Sequence, residues 1–378
     1  MDLVSYSVEL VSRSGAGFEQ TTLSAHDWRV RALELREYID EPFSLDLTMI
    51  SDDIDLDVEG LVGASVSVTI AGTDLERIVR GVVTTAQYLG TFDHMVQMRL
   101  GVRPSLALAD LFERSRVFQA LSVPEIVTAV ATEHLGEHGS VDSAALTATD
   151  YPPRDYCVQF RETDLAFITR ILAEEGIASV LHQSQDDAVD EQTLVLTDAT
   201  PSFRAVPLAT DDPQASEPPV IPVVTDRAQQ ADTACVTAMA WRRTTMPAGH
   251  RARTFDWKAP TRGPIETVAE TEDRAPWEHG EVFRHSDRRT IEDGDEHLDA
   301  TERITKALRQ RAQTQSALAV GQSNALGFFA GGLFTLDGHP GKTLDRTYLL
   351  THVMHRADCP EADLRAGGSV AGVNYGNR

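Results

Sequence analysis

Residues 43–49 read FSLDLTM, and Phe43, Leu45, Leu47 and Met49 alternate with Ser44, Asp46 and Thr48. A period of two puts one face of an extended chain in a core and the other in water, the pattern of an antiparallel strand. The same period runs outward in both directions. It appears in LVSYSVEL at 3–10 (Val4, Tyr6, Val8, Leu10), SVSVTI at 65–70 (Val66, Val68, Ile70) and VQMRLGV at 96–102 (Val96, Met98, Leu100, Val102). SDDID at 51–55 and AGTD at 71–74 supply turn chemistry between the runs. Residues 1–104 are therefore expected to form a small antiparallel β-barrel.

After residue 104 the period changes. Ser122 and Glu125 have capping-box spacing with Pro124 in the first turn, which predicts a helix from Val123 to Leu135 stopped by Gly136. A second helix lies in FRETDLAFITRILAEEGI at 160–177. Thr163 is its expected N-cap, Asp164 sits at the positive end of its dipole, and Gly176 suits a left-handed C-terminal position. Leu165, Ile168, Ile171 and Leu172 share one face. QTLVLTD at 192–198 reads as a strand, and ATDDPQASEPPVIP at 209–222 as a Pro-rich acidic linker. Strand patterning returns in ACVTAMAW (234–241), GGLFTLDG (331–338) and TYLLTHVMH (347–355). A long polar helix is expected within 289–320, with Asp299 and Glu302 as a capping pair. The expected division is a first β-barrel at 1–104, an α/β insertion at 105–227, and a second β-barrel at 228–378 carrying a helical insertion around 251–319. The fold class is thus mainly β with α/β insertions.

Composition excludes several functions. The chain has 378 residues with 58 acids against 34 bases, a formal charge of −24, which repels nucleic acid and anionic lipid. Cys157, Cys235 and Cys359 are odd in number and widely spaced, so neither a disulfide framework nor a cysteine-rich zinc site is expected. MDLVSYSVEL at the start lacks a basic region followed by an apolar run, so synthesis in the cytoplasm without a signal peptide is expected. The most apolar window, NALGFFAGGLFTL at 324–336, is too short and glycine-rich to span a bilayer.

Four places carry residues of candidate chemistry. Glu162 and Asp164 open the second helix and Glu174 and Glu175 close it, roughly 15 Å apart at 1.5 Å per residue, too far for a glycosidase pair. These carboxylates read as a solvated face. His134 and His138 have zincin-like spacing, but Gly136 intervenes, so both read as surface histidines. His352 and His355 fall on opposite faces of a strand, which prevents one metal from taking both with Cys359. GQSNA at 321–325 misses the nucleophile-elbow pattern, and Ser323 reads as a loop serine. No catalytic, cofactor-binding or metal-binding residue and no cofactor is therefore expected.

Five segments taken together closely resemble VgrG, the spike family of bacterial type VI secretion systems. They are LREYIDEPFSLDLTMIS (35–51), SRVFQALSVPEIV (115–127), YPPRDYCVQFRETDLAFITRILAEEGI (151–177), GQSNALGFFAGGLFTLDGHP (321–340) and DRTYLLTHVMHRA (345–357). The resemblance covers nearly the whole chain in family order. It implies a fold like the baseplate hub of contractile phage tails, with two small antiparallel β-barrels per subunit. It also implies a homotrimer whose pseudo-sixfold surface seats on a hexameric Hcp-like tube. Baseplate proteins and effectors or adaptors are implied partners, with no nucleic acid and no membrane insertion by this region. In the family an oligonucleotide/oligosaccharide-fold domain and a β-helical needle with a PAAR tip follow. This sequence ends at GVNYGNR, so a hub fragment without that needle is expected, secreted when the apparatus contracts. The family supplies no catalytic residues, so no enzyme is expected. A phage tail or phage-derived injection particle is the alternative, and a metal-dependent hydrolase the remote one.

Overall fold

The alternating runs do pair as antiparallel strands in the computed structural model. The structure describes residues 5–11, 22–23, 28–51, 58–72, 75–92, 95–136, 139–147, 151–185, 191–208, 217–224, 234–254, 261, 265–270, 274–286, 296–358 and 374–377. The N-terminal strands are β1 (Ser5–Val11), β2 (Thr22–Leu23), β3 (Trp28–Tyr38), β4 (Ser44–Ser51), β5 (Ser65–Ala71), β6 (Glu76–Phe92) and β7 (Met95–Arg103). They curl around a core that contains Val8, Leu35, Leu45, Leu47, Val68, Ile70, Met98 and Leu100. Strand β6 can turn from β5 to β7 because bulges interrupt its register at Val83/Thr85 and Tyr88/Gly90. Gly81 is required where the strands cross, since a Cβ there would lie 2.5 Å from the Arg103 carbonyl oxygen.

Next come β8 (Glu113–Phe118), α1 (Val123–Thr132), β9 (Ser140–Asp142), β10 (Cys157–Thr163), α2 (Asp164–Glu175), β11 (Ala178–Gln183) and β12 (Gln192–Thr197). They form a second core in which Ile126, Val130, Phe167, Ile171 and Leu196 are fully buried. Helix α1 ends at Thr132 rather than Leu135. The turn that follows, with Leu135 N–H donating to Ala131, carries the chain to Gly136 at φ 82°. Helix α2 begins and ends as its sequence predicts: Thr163 accepts from Ala166 N–H at 3.2 Å, and Gly176 is left-handed at φ 72°.

The C-terminal half contains β13 (Arg204–Ala205), β14 (Val220–Pro222), β15 (Val236–Arg243), β16 (Gly249–Thr254), β17 (Ile265–Glu270), β18 (Glu281–Ser286) and α3 (Glu296–Ser316). These are followed by β19 (Ala317–Ser323), β20 (Gly332–Asp337), β21 (Thr347–Leu349), β22 (His352–Asp358) and β23 (Asn374–Asn377). Three expectations are corrected here. Residues 220–222 are not linker: they pair in parallel with β20, and Ile221 is fully buried. The insertion around 251–319 is not purely helical, because β16, β17 and β18 form a sheet against α3. Its inward phase on β16 is carried by His250 and Ala252 rather than by large apolar residues, so the period was invisible. Asp299 lies inside the first turn of α3 and does not precede it, so it is not the cap.

The two barrel regions share one eleven-stranded sheet, ordered β15-β19-β23-β22-β3-β4-β7-β6-β5-β1-β2. The seam is the antiparallel pairing of β3 with β22, from His352 opposite Tyr38 to Asp358 opposite Ala32. A third core beyond the seam contains Val206, Ile221, Val236, Phe334, Leu336 and Val353. Two of those residues come from the segment expected to belong to the insertion.

Candidate functional site

Where the sheet crosses from one core to the other, a charged cluster lies under the seam, with His355 fully buried and the Arg77 and Glu37 side chains 13% and 17% exposed. Glu37 follows Leu33 and Leu35 in the inward phase of β3, and His355 lies between Val353 and Ala357 in the inward phase of β22. A charge or imidazole in an apolar phase demands a partner. Arg77 on β6 supplies it. Its Nη2 donates to Glu37 Oε1 at 2.5 Å and its Nη1 to the Phe328 carbonyl at 2.6 Å. His355 Nε2 lies 2.8 Å from Arg77 Nη1 and 2.9 Å from that same carbonyl. With its proton on Nδ1 the ring accepts from Arg77; with the proton on Nε2 it donates to Phe328. Burial pushes the Glu37 carboxyl up, but the Arg77 charge and His355, whose Nε2 lies 3.5 Å from Glu37 Oε2, outweigh it and hold the pKa below the usual range. Burial, reinforced by Arg77, holds His355 below its ordinary value, so the ring is neutral at pH 7. One cluster thus binds three strands and the 324–331 loop across the seam.

The second polar centre is in the insertion, and it overturns two readings. Asp164 is fully buried rather than solvated. Its carboxylate accepts from Arg116 Nη2 at 2.7 Å and Gln159 Nε2 at 2.8 Å, and lies 2.8 Å from His134 Nε2. His134 is accordingly no surface residue: its side chain is 5% exposed. Burial alone would raise the Asp164 pKa, but the bonds from Gln159 and His134 and the charges of Arg116 and Arg114 bring it down. Ligand atoms of Glu133, His134 and Asp164 lie within 4.8 Å of one another, close enough for a cation. Arg114 and Arg116 already occupy the oxygens, bonding Glu133 at 2.6 and 2.9 Å. A metal would have to displace two guanidinium groups, so the chemistry of the donor set is that of an ion-pair network that fixes β8 against α1 and α2.

The remaining candidates are dispersed. Glu174 and Glu175 bond Arg154 at 2.9 and 2.5 Å, and Glu162 bonds Arg170 at 2.7 Å, so these acids hold the helix to its surroundings. Ser323 is not in a loop: it ends β19, is buried, and its Oγ accepts from Ala325 N–H at 3.0 Å. His352 is exposed and stacks on Tyr38 at 4.2 Å, on the face opposite His355. His138 and Cys359 lie outside the described residues. Sequence reasoning missed Glu37 and Arg77; the signal was Glu37 in the inward phase of a strand, which marks a buried partner to be found.

A mainly β chain with α/β insertions and one sheet spanning two cores has a hub-like fold. The sequence pattern of the phage tail baseplate hub family (GPD) matches residues 36–360, and the chain belongs to that family. It is VgrG-like. It is 29% identical over 345 residues to the type VI secretion system spike protein VgrG5 of Pseudomonas aeruginosa, covering 89% of this chain and 39% of that one. The chain therefore spans about two fifths of that relative's length. Among solved structures, the E. coli c3393 protein, a type VI secretion component, superposes at a TM-score of 0.63 with 15% identity, covering 98% of this chain and 74% of that one. A tail protein from Neisseria meningitidis superposes at 0.62 with 13% identity, covering 98% and 94%. Among the described residues no helix is long and apolar enough to cross a membrane.

Proposed function

We propose that this chain is the hub of a contractile injection apparatus, the trimeric base of a type VI secretion spike. The observation that carries the reading is the single sheet running through both cores, locked by Glu37, Arg77 and His355. A part driven forward by sheath contraction must transmit force between its barrels without hinging. A continuous backbone ladder does so more stiffly than two barrels on a linker. In this reading residues 1–104 and 228–378 supply the two barrels that seat on an Hcp-like hexameric tube, and residues 105–227 project as the insertion. Baseplate proteins and effectors or adaptors contact the hub, and a PAAR tip does so only through a following needle. The protein is made and assembled in the cytoplasm and leaves the cell on contraction. Its work is mechanical, with no catalytic residue, cofactor or metal.

One observation favours a second reading, the hub of a phage tail or phage-derived particle. The family pattern matched over residues 36–360 is itself that of phage tail baseplate hubs. Co-purification with an Hcp-like tube protein or with a phage tail-tube protein separates the two. Sedimentation velocity tests the hub itself: a species of three times the monomer mass is expected, and a strict monomer in the presence of the tube protein overturns the reading. A hydrolase is disfavoured by the arginines that fill the Asp164 centre; metal analysis of purified protein tests that directly.

A further inference from the structure

A half-open cleft of about 1620 Å³ lies between the insertion and α3. Its two walls differ in chemistry. One wall carries Tyr156 and Val158, which are 62% and 48% exposed. They continue onto the outer face of the two-stranded β8–β10 ribbon, where Val117 lies opposite Val158 and Phe160 opposite Ser115. Val117 and Phe160 are 58% and 65% exposed, so a contiguous apolar strip leads into the cleft. Such strips mark interaction surfaces.

The other wall carries cations. Arg284 stands on β18, and Lys306 and Arg311 on α3. Asp155 lines the cleft, and three further acids there are engaged. Glu174 is bonded by Arg154 and Arg170, Asp198 by Thr147 and Tyr151, and Asp40 by the Ser179 backbone. Among the described residues no hydrogen bond or ion pair joins an acid to Arg284, Lys306 or Arg311, although the Arg311 charge acts on Asp40. Behind the wall, burial first, and then the charges of Arg309 and Arg284, hold His250 below its ordinary pKa. In a chain of formal charge −24, three cations on one wall offer carboxylates of a partner a local attraction.

We propose that this cleft binds an extended segment of a partner polypeptide in which acidic and apolar residues alternate. The apolar side chains pack on Tyr156 and Val158, and the carboxylates reach Arg284, Lys306 and Arg311. An extended strand presents successive side chains to opposite sides, which matches walls of opposite character. The volume exceeds the ~300–1,000 Å³ of small-molecule pockets and suits a peptide lying along a groove. A second copy of this chain would have to bring its own acidic, apolar segment to the cleft, an outcome that the test below separates.

The test is fluorescence anisotropy with a labelled peptide alternating glutamate and leucine, titrated with the full chain, beside a matched lysine–leucine peptide. The glutamate peptide is expected to bind, to weaken as salt rises, and to prefer the wild type over Arg284→Glu/Lys306→Glu/Arg311→Glu by at least about tenfold. Tyr156→Ser/Val158→Ser should weaken it as well. These positions line an open surface, and thermal melts of both variants confirm that they fold. No binding, equal binding of the two peptides, or binding unchanged in both variants overturns the proposal. So does sedimentation showing self-association that Tyr156→Ser/Val158→Ser abolishes, since the occupant would then be a second copy.

Discussion

The first barrel region is attached to its two neighbours by different kinds of bond. Toward the C-terminal core it is joined by backbone: seven residue pairs of β3 and β22 in unbroken register, over the Glu37–Arg77–His355 cluster. Toward the insertion it is joined largely by side chains imitating backbone, beside one backbone bond from Asp40 N–H to the Ser179 carbonyl at 2.9 Å. The Gln185 amide accepts from Ile78 N–H at 2.9 Å and donates to the Ile78 carbonyl at 3.2 Å. The Gln183 amide accepts from Arg80 N–H at 3.0 Å and donates to the Arg80 carbonyl. Two glutamines thus cap the stretch of β6 edge that β7 leaves uncovered, while Arg80 Nη1 donates back to the Ser184 carbonyl at 2.6 Å. A ladder is cooperative and fixes register, whereas a side-chain joint can open without unravelling a strand. The difference teaches which pair of units moves as one body and which pair can part.

The largest expected effect breaks the seam. Arg77→Met leaves Glu37 buried without its cation and should destabilise the protein by roughly 3 kcal/mol or more. Adding Glu37→Gln should restore most of that loss. Urea unfolding of the single and double variants measures both. Next is Gln183→Ala, which strips the Arg80 N–H and carbonyl of their Gln183 partners and should cost roughly 2 kcal/mol. Its signature is early proteolysis at the insertion with the barrels intact, and simultaneous loss of all three regions would contradict the contrast between joints.

The third effect is a pH dependence. His182 on β11 meets Phe329 edge-on at 5.6 Å, and burial, followed by the Arg204 charge, pushes its pKa down to about 4 from 6.5. The unfolded chain takes up this proton first as pH falls, so stability present above pH 6.5 is lost down to about 4, by about 2 kcal/mol after allowing for partial exposure. The lowered values of His355 and Glu37 act in the same direction, while Asp40, which burial raises, opposes them. Melting temperatures across this range should fall less steeply in His182→Leu than in the wild type. Equal slopes would remove His182 from the account.

The sequence shows plainly the elements whose periodicity is carried by large apolar side chains. The N-terminal strands fall where Leu45, Val68 and Met98 mark them, and α2 is framed by Thr163 and Gly176 as its local chemistry requires. Pairing across long separations is less visible. Nothing local to 352–358 or 28–38 says that these strands meet, and two-residue β13 and three-residue β14 are too short to carry a period. The polar centres were misread for the same reason. Asp164 and His134 look solvent-facing until Arg114 and Arg116, about fifty and twenty residues away in sequence, are folded against them.

Hydrogen–deuterium exchange resolved by peptide tests the central claim most directly. If the two barrel regions are one mechanical body, amides of 28–38 and 352–358 should open together, only with the slowest, global transition, and Arg77→Met should accelerate both equally. Peptides from 157–185 should open in an earlier step. Exchange of 352–358 together with 236–243 and 317–323 while 28–38 stays protected would show two bodies that unfold apart, and a rigid hub built on a shared sheet would be wrong.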